Sequence, residues 1–469
     1  MSKQHLGVIG LGVMGSNLAL NAESKGFPAA GFDVSADKVS QFEAATRGKK
    51  IVASRTLKEF VDSLETPRRI LIMVPAGAPV DSVLRDLGPL LSRDDIVIDG
   101  GNSYFKDTER RAKELDRAGM SFFGMGVSGG EEGALHGPSL MPGGREEAYR
   151  RLEAVLTRMA AQTPDGACCT YLGPGGAGHY VKMVHNGIEY GIMQAICEAY
   201  DLLKNALSLS AAELRSIFAA WNNGELNSFL IEITALVLGK IDPDTKKPLV
   251  DLILDEAEQK GTGKWTAQDS LDLGAATPTL AAAVYARILS AQKDERVAAS
   301  SILSGPVGKF SGDKTALIER VSHALHLTMI ICYAQGFEQL RLASEEYKYS
   351  LKMPDIARIW KGGCIIRSKM LDPIAAAFRM NPALKNLMLN PHFSGVINGN
   401  AESLREVVKL AVEMGVSTPA MSASLAYLDG YRQKRLPANL LQALRDCFGA
   451  HTYRRTDREG IFHTEWGKS

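Results

Sequence analysis

The sequence is poor in the features that define several whole classes of protein. Its six cysteines include no C-x-x-C pair and are too few in 469 residues for a disulfide framework. Lys+Arg number 54 and Asp+Glu 53, so the net charge of +1 provides no basic field for nucleic acid. We therefore predict free thiols in a reducing compartment and no nucleic-acid partner.

Membrane and metal signals are missing as well. The longest apolar stretch, residues 324–337, is interrupted by polar residues and is too short to cross a bilayer. The N-terminus has no apolar segment ahead of a small-residue cleavage site. The nine histidines and six cysteines show no metal-ligand spacing, and no G-x-S-x-G element of a serine hydrolase occurs. The sequence predicts a cytoplasmic protein with no metal and no membrane partner.

What is present is a chain of globular composition whose first part alternates strand and helix patterns. Apolar residues make up 45% and charged residues 23%, close to the average of soluble domains. Over residues 1–178, short apolar runs alternate with amphipathic segments, which is typical of an α/β Rossmann-type domain. The runs that predict strands are Leu6–Ile9, Ala29–Phe32, Arg69–Val74 and Asp95–Asp99.

Beyond the Gly-rich stretch 173–181, strand-type alternation is nearly absent. Segments of helical periodicity predict a large all-α domain for substrate binding and dimerisation over residues 179–431. These segments are Tyr180–Ala206, Ala211–Trp221, Asn227–Gly239, Thr279–Ser301 and Thr315–Ala343. Residues 432–469 hold eight Lys/Arg against four Asp/Glu, which indicates a short C-terminal tail with a role of its own.

The segment Gly10–Gly15 fits the G-x-G-x-x-G pattern. A strand-like run ends at Ile9 and a helical pattern starts at Ser16, which is the context that a dinucleotide-binding turn needs. The glycines permit the turn and the close approach of a pyrophosphate to the helix N-terminus. The second strand ends at Phe32, and Asp33 follows it, placed to bond the ribose hydroxyls of a dinucleotide. A Gly-rich turn without a ligand is the alternative.

Residues 181–190, VKMVHNGIEY, form a second constellation of polar side chains. At 100° per residue five of them fall within an arc of about 140°, and these are Lys182, His185, Asn186, Glu189 and Tyr190. Lys182 and Glu189 lie roughly 10 Å apart along the helix axis, so they can reach opposite ends of one small substrate. A solvated polar face with a charge pair is the alternative, but the neighbouring cofactor domain favours a site.

Further candidates are anion-binding groups. Ser128, Gly129 and Gly130 supply a hydroxyl and backbone N–H groups suited to a carboxylate, with an ordinary tight turn as the alternative. The stretch KGTGK at 260–264 lacks the Walker spacing of a P-loop. Singly, each of the remaining candidates is more often a surface charge; they are Arg287, Arg445 and His451.

Several longer stretches resemble one family. They are GLGVMG (10–15), GGNSYFKDTERR (100–111), GVSGGEEGA (126–134), GPSLMPGG (137–144), KMVHNGIEYG (182–191), WNNGELNSFLIEIT (221–234), QKGTGKWT (259–266) and LQALRDCFGAHTY (441–453). Nearly the whole chain is similar to the long-chain, decarboxylating 6-phosphogluconate dehydrogenases. The short β-hydroxyacid dehydrogenases share the Gly-rich turn but lack this length and the arginine–histidine tail.

The resemblance implies a reaction of the pentose phosphate pathway, the oxidation of 6-phospho-D-gluconate to D-ribulose 5-phosphate and CO2 without a metal. It implies that Lys182 takes the proton of the C3 hydroxyl as hydride leaves for the nicotinamide, and later returns a proton to the C3 carbonyl. Glu189 protonates C1 of the enediol. Lys182 must be neutral to act as a base, and we expect a cationic neighbour to favour that state.

The resemblance also implies the binding residues. The carboxylate and hydroxyl end of the substrate is expected at Asn102, Ser128, Gly129, Gly130, His185 and Asn186. The phosphate is expected at Tyr190, Lys260, Thr262, Arg287 and Arg445, with His451 reaching the substrate from the tail. The coenzyme is expected at Gly10, Leu11, Gly12, Val13, Met14, Gly15, Asp33, Val34, Ser35, Val74, Pro75, Ala76 and Asn102. Because the family's tail enters the partner subunit, we expect a homodimer with exchanged tails.

Two departures from the family bear on the coenzyme. NADP-dependent members carry Asn-Arg-Thr after the second strand, where this chain has Asp33-Val34-Ser35. Most members have a lysine in the loop after the third strand, where this chain has Pro75. Both changes remove polar or cationic groups, and Asp33 adds an anion. We therefore predict that NAD is favoured and that NADP is the less favoured alternative.

Two other functions stay open at this point. A dehydrogenase of another aldonate is one, although Lys260, Arg287 and Arg445 argue against an unphosphorylated substrate. A catalytically inactive NAD-binding regulatory protein is the other. The usual mark of such a protein is the loss of Lys182, Asn186 or Glu189, and all three are present.

Overall fold

Strands and helices alternate in the first part of the chain. The computed structural model describes residues 3–306 and 308–467, and the positions below lie within those ranges. The strands are β1 (Leu6–Ile9), β2 (Ala29–Phe32), β3 (Ile51–Ala53), β4 (Arg69–Ile72), β5 (Ile96–Asp99), β6 (Ser121–Ser128), β7 (Ser139–Gly143), β8 (Gln162–Thr163) and β9 (Gly166–Ala167). The helices among them are α1 (Val13–Ser24), α2 (Ala36–Ala45), α3 (Leu57–Ser63), α4 (Ala78–Leu87), α5 (Phe105–Arg117), α6 (Gly130–His136) and α7 (Glu146–Met159).

The seven longer strands form one sheet in the order β3-β2-β1-β4-β5-β6-β7. Neighbouring strands are parallel except β6 and β7, which are antiparallel. Val8 of β1 lies beside Gly31 of β2 on one side and Leu71 of β4 on the other. The strand order therefore reverses at β1, which opens a crevice at the carboxyl ends of these strands. The predicted α/β Rossmann-type domain is confirmed.

Burial on both faces explains the strands that the sequence predicted. β1 and β5 are buried along their whole length, which suits their aliphatic runs. The structure ends β4 at Ile72 and starts β5 at Ile96, so both are shorter than predicted. The sequence reasoning missed β3, β6 and β7. β6 contains two glycines and β7 contains Pro142, and both residue types are depleted in strands. Pro142 is tolerated because β7 is an edge strand.

The chain after Gly176 is helical, as predicted. Its helices are α8 (Ala177–Leu207), α9 (Ala211–Trp221), α10 (Phe229–Leu238), α11 (Thr262–Asp272), α12 (Pro278–Ser290), α13 (Lys293–Ser300), α14 (Lys314–Glu346), α15 (Met353–Ile359), α16 (Leu371–Met380), α17 (Pro391–Met414), α18 (Pro419–Tyr431) and α19 (Ala438–Gly449). Short 3-10 helices cover Gly88–Leu90, Leu249–Leu252 and Leu387–Leu389. The two longest helices, α8 and α14, pack against each other and supply much of the core.

The first turns of α8 lie against the sheet. A Cβ on Gly178 would collide with the carbonyls of Gly124 in β6 and Met141 in β7, so helix and sheet backbones touch there. Because this contact fixes the start of α8, the next turns of the helix lie beside the carboxyl end of β6. The polar face predicted on α8 is thereby carried to the edge of the Rossmann-type domain.

One predicted helix is two helices. The helical periodicity over 279–301 is divided into α12 and α13, with Ala291 and Gln292 between them. The carbonyl of Ser290 accepts a hydrogen bond from Arg296 Nη2 at 2.9 Å, so a side chain satisfies a carbonyl at the end of α12. Among the residues that the structure describes, no helix combines the length and apolar character needed to span a bilayer.

Candidate active site

The turn between β1 and α1 has the geometry of a phosphate cradle. Gly10 has φ +97°, and Gly15 lies so close to the Gly10 carbonyl that no Cβ fits. Gly12 precedes α1, and the space where its Cβ would point is open. The N-terminus of α1 therefore meets a space that no side chain of the turn fills, and a pyrophosphate suits that position.

Asp33 is fixed at the rim of this cradle. Its Oδ2 accepts the N–H of Leu11 at 2.8 Å, and its Oδ1 accepts the N–H of Ser35 at 2.9 Å. Lys38 Nζ lies 3.8 Å from Oδ2. Each carboxylate oxygen keeps a further lone pair, so Asp33 can accept ribose hydroxyls while it stays bonded to the turn.

A cleft of about 490 Å³ lies at the carboxyl ends of β1, β2 and β4. The predicted coenzyme residues that line it are Gly10, Gly12, Asp33, Val34, Val74 and Pro75. The others do not line it: Leu11, Ser35 and Ala76 lie in the adjoining turns, Asn102 lies in the turn after β5, and the first turn of α1 holds Val13, Met14 and Gly15. Among the described residues that line the cleft, Lys38 is the one cation, and Asp86 adds a second carboxylate. These residues fit the adenosine half of a dinucleotide.

Lys182 is buried at the start of the polar face of α8. It is 6% exposed, and its stem occupies the space that the missing side chain of Gly126 leaves beside β6. Its amine makes no hydrogen bond to any residue that the structure describes. Burial lowers the pKa of Lys182, while the charges of Glu189 and Cys364 raise it. The expected cationic neighbour was therefore wrong, because desolvation is what favours the neutral amine.

Glu189 lies two turns further along the same face of α8, at the other end of the candidate pocket, and its side chain is 20% exposed. Burial raises the pKa of Glu189, and the charges of Lys182 and Arg287 lower it. Desolvation thus moves the lysine and the carboxyl pKa values toward each other. A lysine that can lose its proton beside a carboxyl that can keep its proton is an arrangement suited to general base and general acid work.

A chain of hydrogen bonds runs from α11 to β6 through the same face of α8. Asn186 Nδ2 donates to Thr262 Oγ1 at 2.9 Å, and Asn186 Oδ1 lies 3.0 Å from His185 Nδ1. His185 Nε2 lies 3.2 Å from Ser128 Oγ and 2.8 Å from Cys364 Sγ. Burial lowers the pKa of His185 well below its ordinary value, so the ring is neutral. The structure brings together residues that the sequence placed up to 179 positions apart.

Two turns with exposed backbone complete this end of the pocket. Gly129 and Gly130, after β6, have φ +122° and +62°, and the Cβ position of Gly130 faces open space. In the turn after β5, Asp99 accepts the N–H of Gly101 at 3.0 Å and the hydroxyl of Ser103 at 2.6 Å. Asn102 lies at the exposed tip of that turn, where an amide is available to a ligand.

The predicted phosphate residues are only partly brought together. The guanidinium carbon of Arg287 lies 3.4 Å from the centre of the Tyr190 ring, and Lys260 is exposed in the segment before α11. The contacts of Arg445 and His451 stay within the tail: Arg445 Nη1 donates to Gln442 Oε1 at 3.1 Å, and His451 lies 5.8 Å from the Phe448 ring. Within residues 3–306 and 308–467, this chain's own tail does not enter its own pocket.

Sequence reasoning missed three residues of the site. Gly126 makes room for Lys182, and Cys364 contacts His185. Arg111 is fully buried and binds Asp81 through Nε at 2.8 Å and Nη2 at 3.1 Å, below the loop that contains Pro75. Gly126 and Arg111 lie inside motifs quoted above, whereas Cys364 follows a Gly-Gly pair that went unremarked. Among the described residues, no three His, Cys, Asp or Glu side chains are grouped to hold a metal ion.

A dinucleotide cradle on a Rossmann-type sheet, followed by a helical domain that carries a buried lysine and a part-buried glutamate on one helix face, is typical of a nicotinamide-dependent dehydrogenase. Two family models match the chain: "NAD binding domain of 6-phosphogluconate dehydrogenase" over residues 5–173 and "6-phosphogluconate dehydrogenase, C-terminal domain" over residues 178–466. The chain therefore belongs to the decarboxylating 6-phosphogluconate dehydrogenase family, and it is an oxidoreductase.

Individual relatives are similar to this chain over its full length. The chain is 55% identical over 469 residues to the "6-phosphogluconate dehydrogenase, NADP(+)-dependent, decarboxylating" of Bacillus subtilis, with 100% of both chains covered. It is 55% identical over 467 residues to "6-phosphogluconate dehydrogenase, decarboxylating" of Escherichia coli K12, which covers 99% of this chain and 100% of the relative. Plasmodium falciparum 6-phosphogluconate dehydrogenase, solved with NADP+ and with 6-phosphogluconate, superposes with a TM-score of 0.95 at 42% identity and covers 98% and 100% of the two chains.

Proposed function

We propose that this chain converts 6-phospho-D-gluconate into D-ribulose 5-phosphate and CO2 in the pentose phosphate pathway, with Lys182 as base and Glu189 as acid. The carrying observation is that one face of α8 carries a buried lysine and a part-buried carboxyl whose pKa values burial moves toward each other. Turnover of 6-phosphogluconate by the purified protein, with reduced coenzyme and CO2 formed in equal amounts, tests the proposal. Reduced coenzyme without CO2 would contradict the decarboxylating step.

Lys182 acts first in this scheme. Its neutral amine takes the proton of the C3 hydroxyl, and C3 becomes a carbonyl. The hydride leaves C3 at the same time; a nicotinamide dinucleotide held at the Gly10–Gly15 turn would supply its acceptor. Lys182, now an ammonium, donates a hydrogen bond to the C3 carbonyl and draws electron density toward it. The C1–C2 bond then breaks and CO2 leaves. The electron pair of that bond forms the double bond of the enediol as Lys182 returns its proton to the C3 oxygen.

Glu189 acts last. Its carboxyl, whose pKa burial raises, gives its proton to the carbon that has lost CO2, while Lys182 takes back the proton of the enediol hydroxyl and the ketose forms. The neutral His185 lies with Nδ1 3.0 Å from Asn186 Oδ1, and both residues hold the same face of α8 in place beside Glu189. Ser128 and the N–H groups of Gly129 and Gly130 suit the substrate carboxylate, and Asn102 lies where a hydroxyl or the coenzyme can reach it.

The phosphate end is proposed beside Tyr190 and Arg287. Their stacked contact of 3.4 Å holds the guanidinium close to the pocket, and planar guanidinium groups bind phosphate oxygens in pairs. Lys260, exposed in the segment before α11, adds a further positive charge. Thr262, bonded to Asn186 at 2.9 Å, links this end to the carboxylate end.

The coenzyme preference has two candidates. The printed names of the relatives favour NADP, because the Bacillus subtilis relative is called NADP(+)-dependent and the Plasmodium enzyme was solved with NADP+. The cleft of this chain supports NAD. Asp33 and Asp86 place two carboxylates there, Val34 is 92% exposed and uncharged, and Lys38 already lies 3.8 Å from Asp33.

We propose the NAD preference on this local ground, with NADP as the second candidate that the comparisons favour. The 2′-phosphate of NADP removes a hydroxyl donor to Asp33 and adds about two negative charges beside it. We expect kcat/KM with saturating 6-phosphogluconate to be roughly 10–100-fold higher for NAD, at about 1.4 kcal/mol per tenfold. An equal or higher kcat/KM with NADP establishes the second candidate instead.

We propose a homodimer in which each tail completes the partner's site. The tail leaves its own pocket empty of Arg445 and His451, and α19 exposes an apolar row that its own chain does not cover. That row consists of Leu440, Leu441, Leu444 and Phe448, each at least half exposed. Mixed subunits of Lys182→Met and Arg445→Ala test this. If subunits exchange randomly, about half of the dimers are hybrids with one intact site of two, so the mixture recovers about a quarter of wild-type activity. Hybrids without activity contradict tail exchange.

The remaining expectations are tested by simple controls. The division into residues 1–178, 179–431 and 432–469 is proposed with α8, which begins at Ala177, as the start of the second part. Turnover of gluconate as fast as that of 6-phosphogluconate would support the other-aldonate alternative. A folded protein that binds coenzyme but turns over neither would support the inactive regulatory alternative. The cytoplasmic location stays a prediction.

A further inference from the structure

Cys364 reaches the substrate pocket from a segment distant in sequence. It follows Gly363, whose φ of +58° turns the chain and whose carbonyl accepts the N–H of Ser139 at 2.7 Å. The thiol is 2% exposed, and its Sγ lies 2.8 Å from His185 Nε2. The reaction proposed above uses this thiol in no step.

The amide of Asn186 determines which nitrogen of His185 carries the proton. Asn186 Nδ2 donates to Thr262 Oγ1, so Oδ1 is turned toward His185 Nδ1, 3.0 Å away. Glu189 Oε2 lies 3.7 Å from the same nitrogen. A neutral imidazole with acceptors at Nδ1 holds its proton there and leaves Nε2 as an acceptor.

Two donors compete for Nε2 of His185. The hydroxyl of Ser128 lies 3.2 Å away and the thiol of Cys364 lies 2.8 Å away. Burial raises the pKa of Cys364 to about 12, so the thiol keeps a proton to donate. Ser128 Oγ meanwhile accepts the N–H of Ile365 at 3.4 Å. When the thiol occupies Nε2, the Ser128 proton no longer bonds His185 and can turn either to the Cys364 sulfur or toward the turn at Gly129 and Gly130.

We propose that Cys364 is a positioning residue whose thiol donates to His185 Nε2 and thereby releases the Ser128 hydroxyl to donate to the substrate carboxylate. This inference rests on the proposed function, since it needs the carboxylate of 6-phosphogluconate at the Ser128 turn. Cys364 acts through two neighbours, so its loss weakens substrate binding without touching the coenzyme cleft.

Two variants of the full-length enzyme distinguish the effect of losing the hydrogen-bond donor of Cys364 from the effect of changing its volume. Cys364→Val removes the donor and keeps a side chain of similar size, whereas Cys364→Ser keeps a donor. A hydrogen bond to a charged group corresponds to a factor of about 10–100 in affinity. We expect Cys364→Val to raise KM and the calorimetric Kd for 6-phosphogluconate by that factor and to leave the coenzyme KM unchanged. Cys364→Ser stays within about threefold of wild type, since it retains the donor.

A double-mutant cycle tests the route through Ser128. Ser128→Ala alone raises KM for 6-phosphogluconate, and adding Cys364→Val raises it no further, because no hydroxyl proton remains to redirect. Additive effects, a wild-type KM in Cys364→Val, or a Cys364→Ser variant as weak as Cys364→Val would each overturn the proposal. If Cys364→Val does not fold, Cys364→Ala takes its place in the cycle.

The proposed function and this inference fail in different ways. Wild-type turnover of 6-phosphogluconate tests the function alone, whereas the cycle is read as ratios to wild type. The Kd readout needs no turnover, so it reports on Cys364 even in a coenzyme-free sample. If the wild type turns over 6-phosphogluconate and the effects on KM in the cycle are additive, only the role of Cys364 is overturned.

Discussion

Replacing Lys182 by methionine is the sharpest perturbation of the proposed chemistry. Methionine keeps the unbranched stem that packs in the space beside Gly126 and removes only the amine. That amine has no hydrogen-bond partner among the described residues, so no group is left unpaired. A buried ionisable group without a partner costs stability. We therefore expect the free energy of unfolding of Lys182→Met to equal or exceed that of the wild type.

The same substitution should abolish most of the chemistry. A general base contributes about 10²–10⁴-fold, and Lys182 serves twice in the scheme. We expect kcat to fall at least ~10²-fold, the lower end of that range, while binding of 6-phosphogluconate stays measurable by calorimetry. Steady-state reduction of coenzyme gives kcat, and denaturant unfolding gives the stability.

The control is Lys204→Met on the same helix. Lys204 is half-exposed and pairs with Asp251 at 2.8 Å, away from the pocket. It should keep wild-type kcat, since surface ion pairs contribute little. Lys182 is not the base if Lys182→Met retains more than a tenth of wild-type turnover. The same conclusion follows if its free energy of unfolding falls so far that loss of folded protein accounts for the loss of turnover.

Three further predictions concern Glu189, Asp33 and Gly126. Glu189→Gln removes the charge that raises the pKa of Lys182. The limb of the kcat/KM–pH profile that requires the neutral amine should therefore move to lower pH. A limb that stays in place or moves to higher pH contradicts the coupling. Asp33→Asn with Val34→Arg should shift the ratio of kcat/KM values toward NADP by at least tenfold, since it replaces a carboxylate by a phosphate-binding guanidinium. Gly126→Ala should lower kcat, because its Cβ overlaps the Lys182 stem. Thermal unfolding and the coenzyme KM show whether the fold survives. A wild-type kcat would show that the stem can move.

The sequence was sufficient for features that depend on neighbours along the chain. The Gly10–Gly15 turn, with a strand before it and a helix after it, is a local pattern, and Asp33 follows directly on β2. The polar face of α8 depends only on the 3.6-residue period, so the common face of Lys182 and Glu189 could be predicted. Long helical segments were predicted for the same reason.

The tertiary structure decided what depends on contacts between distant segments. Strand β6 was hidden by its glycines, yet one of them, Gly126, is what admits the Lys182 stem. The cause of the lowered lysine pKa was also misjudged, because burial is a property of the packed chain and not of a motif. Cys364 lies 179 residues from His185, and no periodicity connects two such positions. Only the folding of the 361–366 segment onto the turn at Ser128 brings that thiol to the imidazole, since side-chain contacts across a core follow the path of the whole backbone.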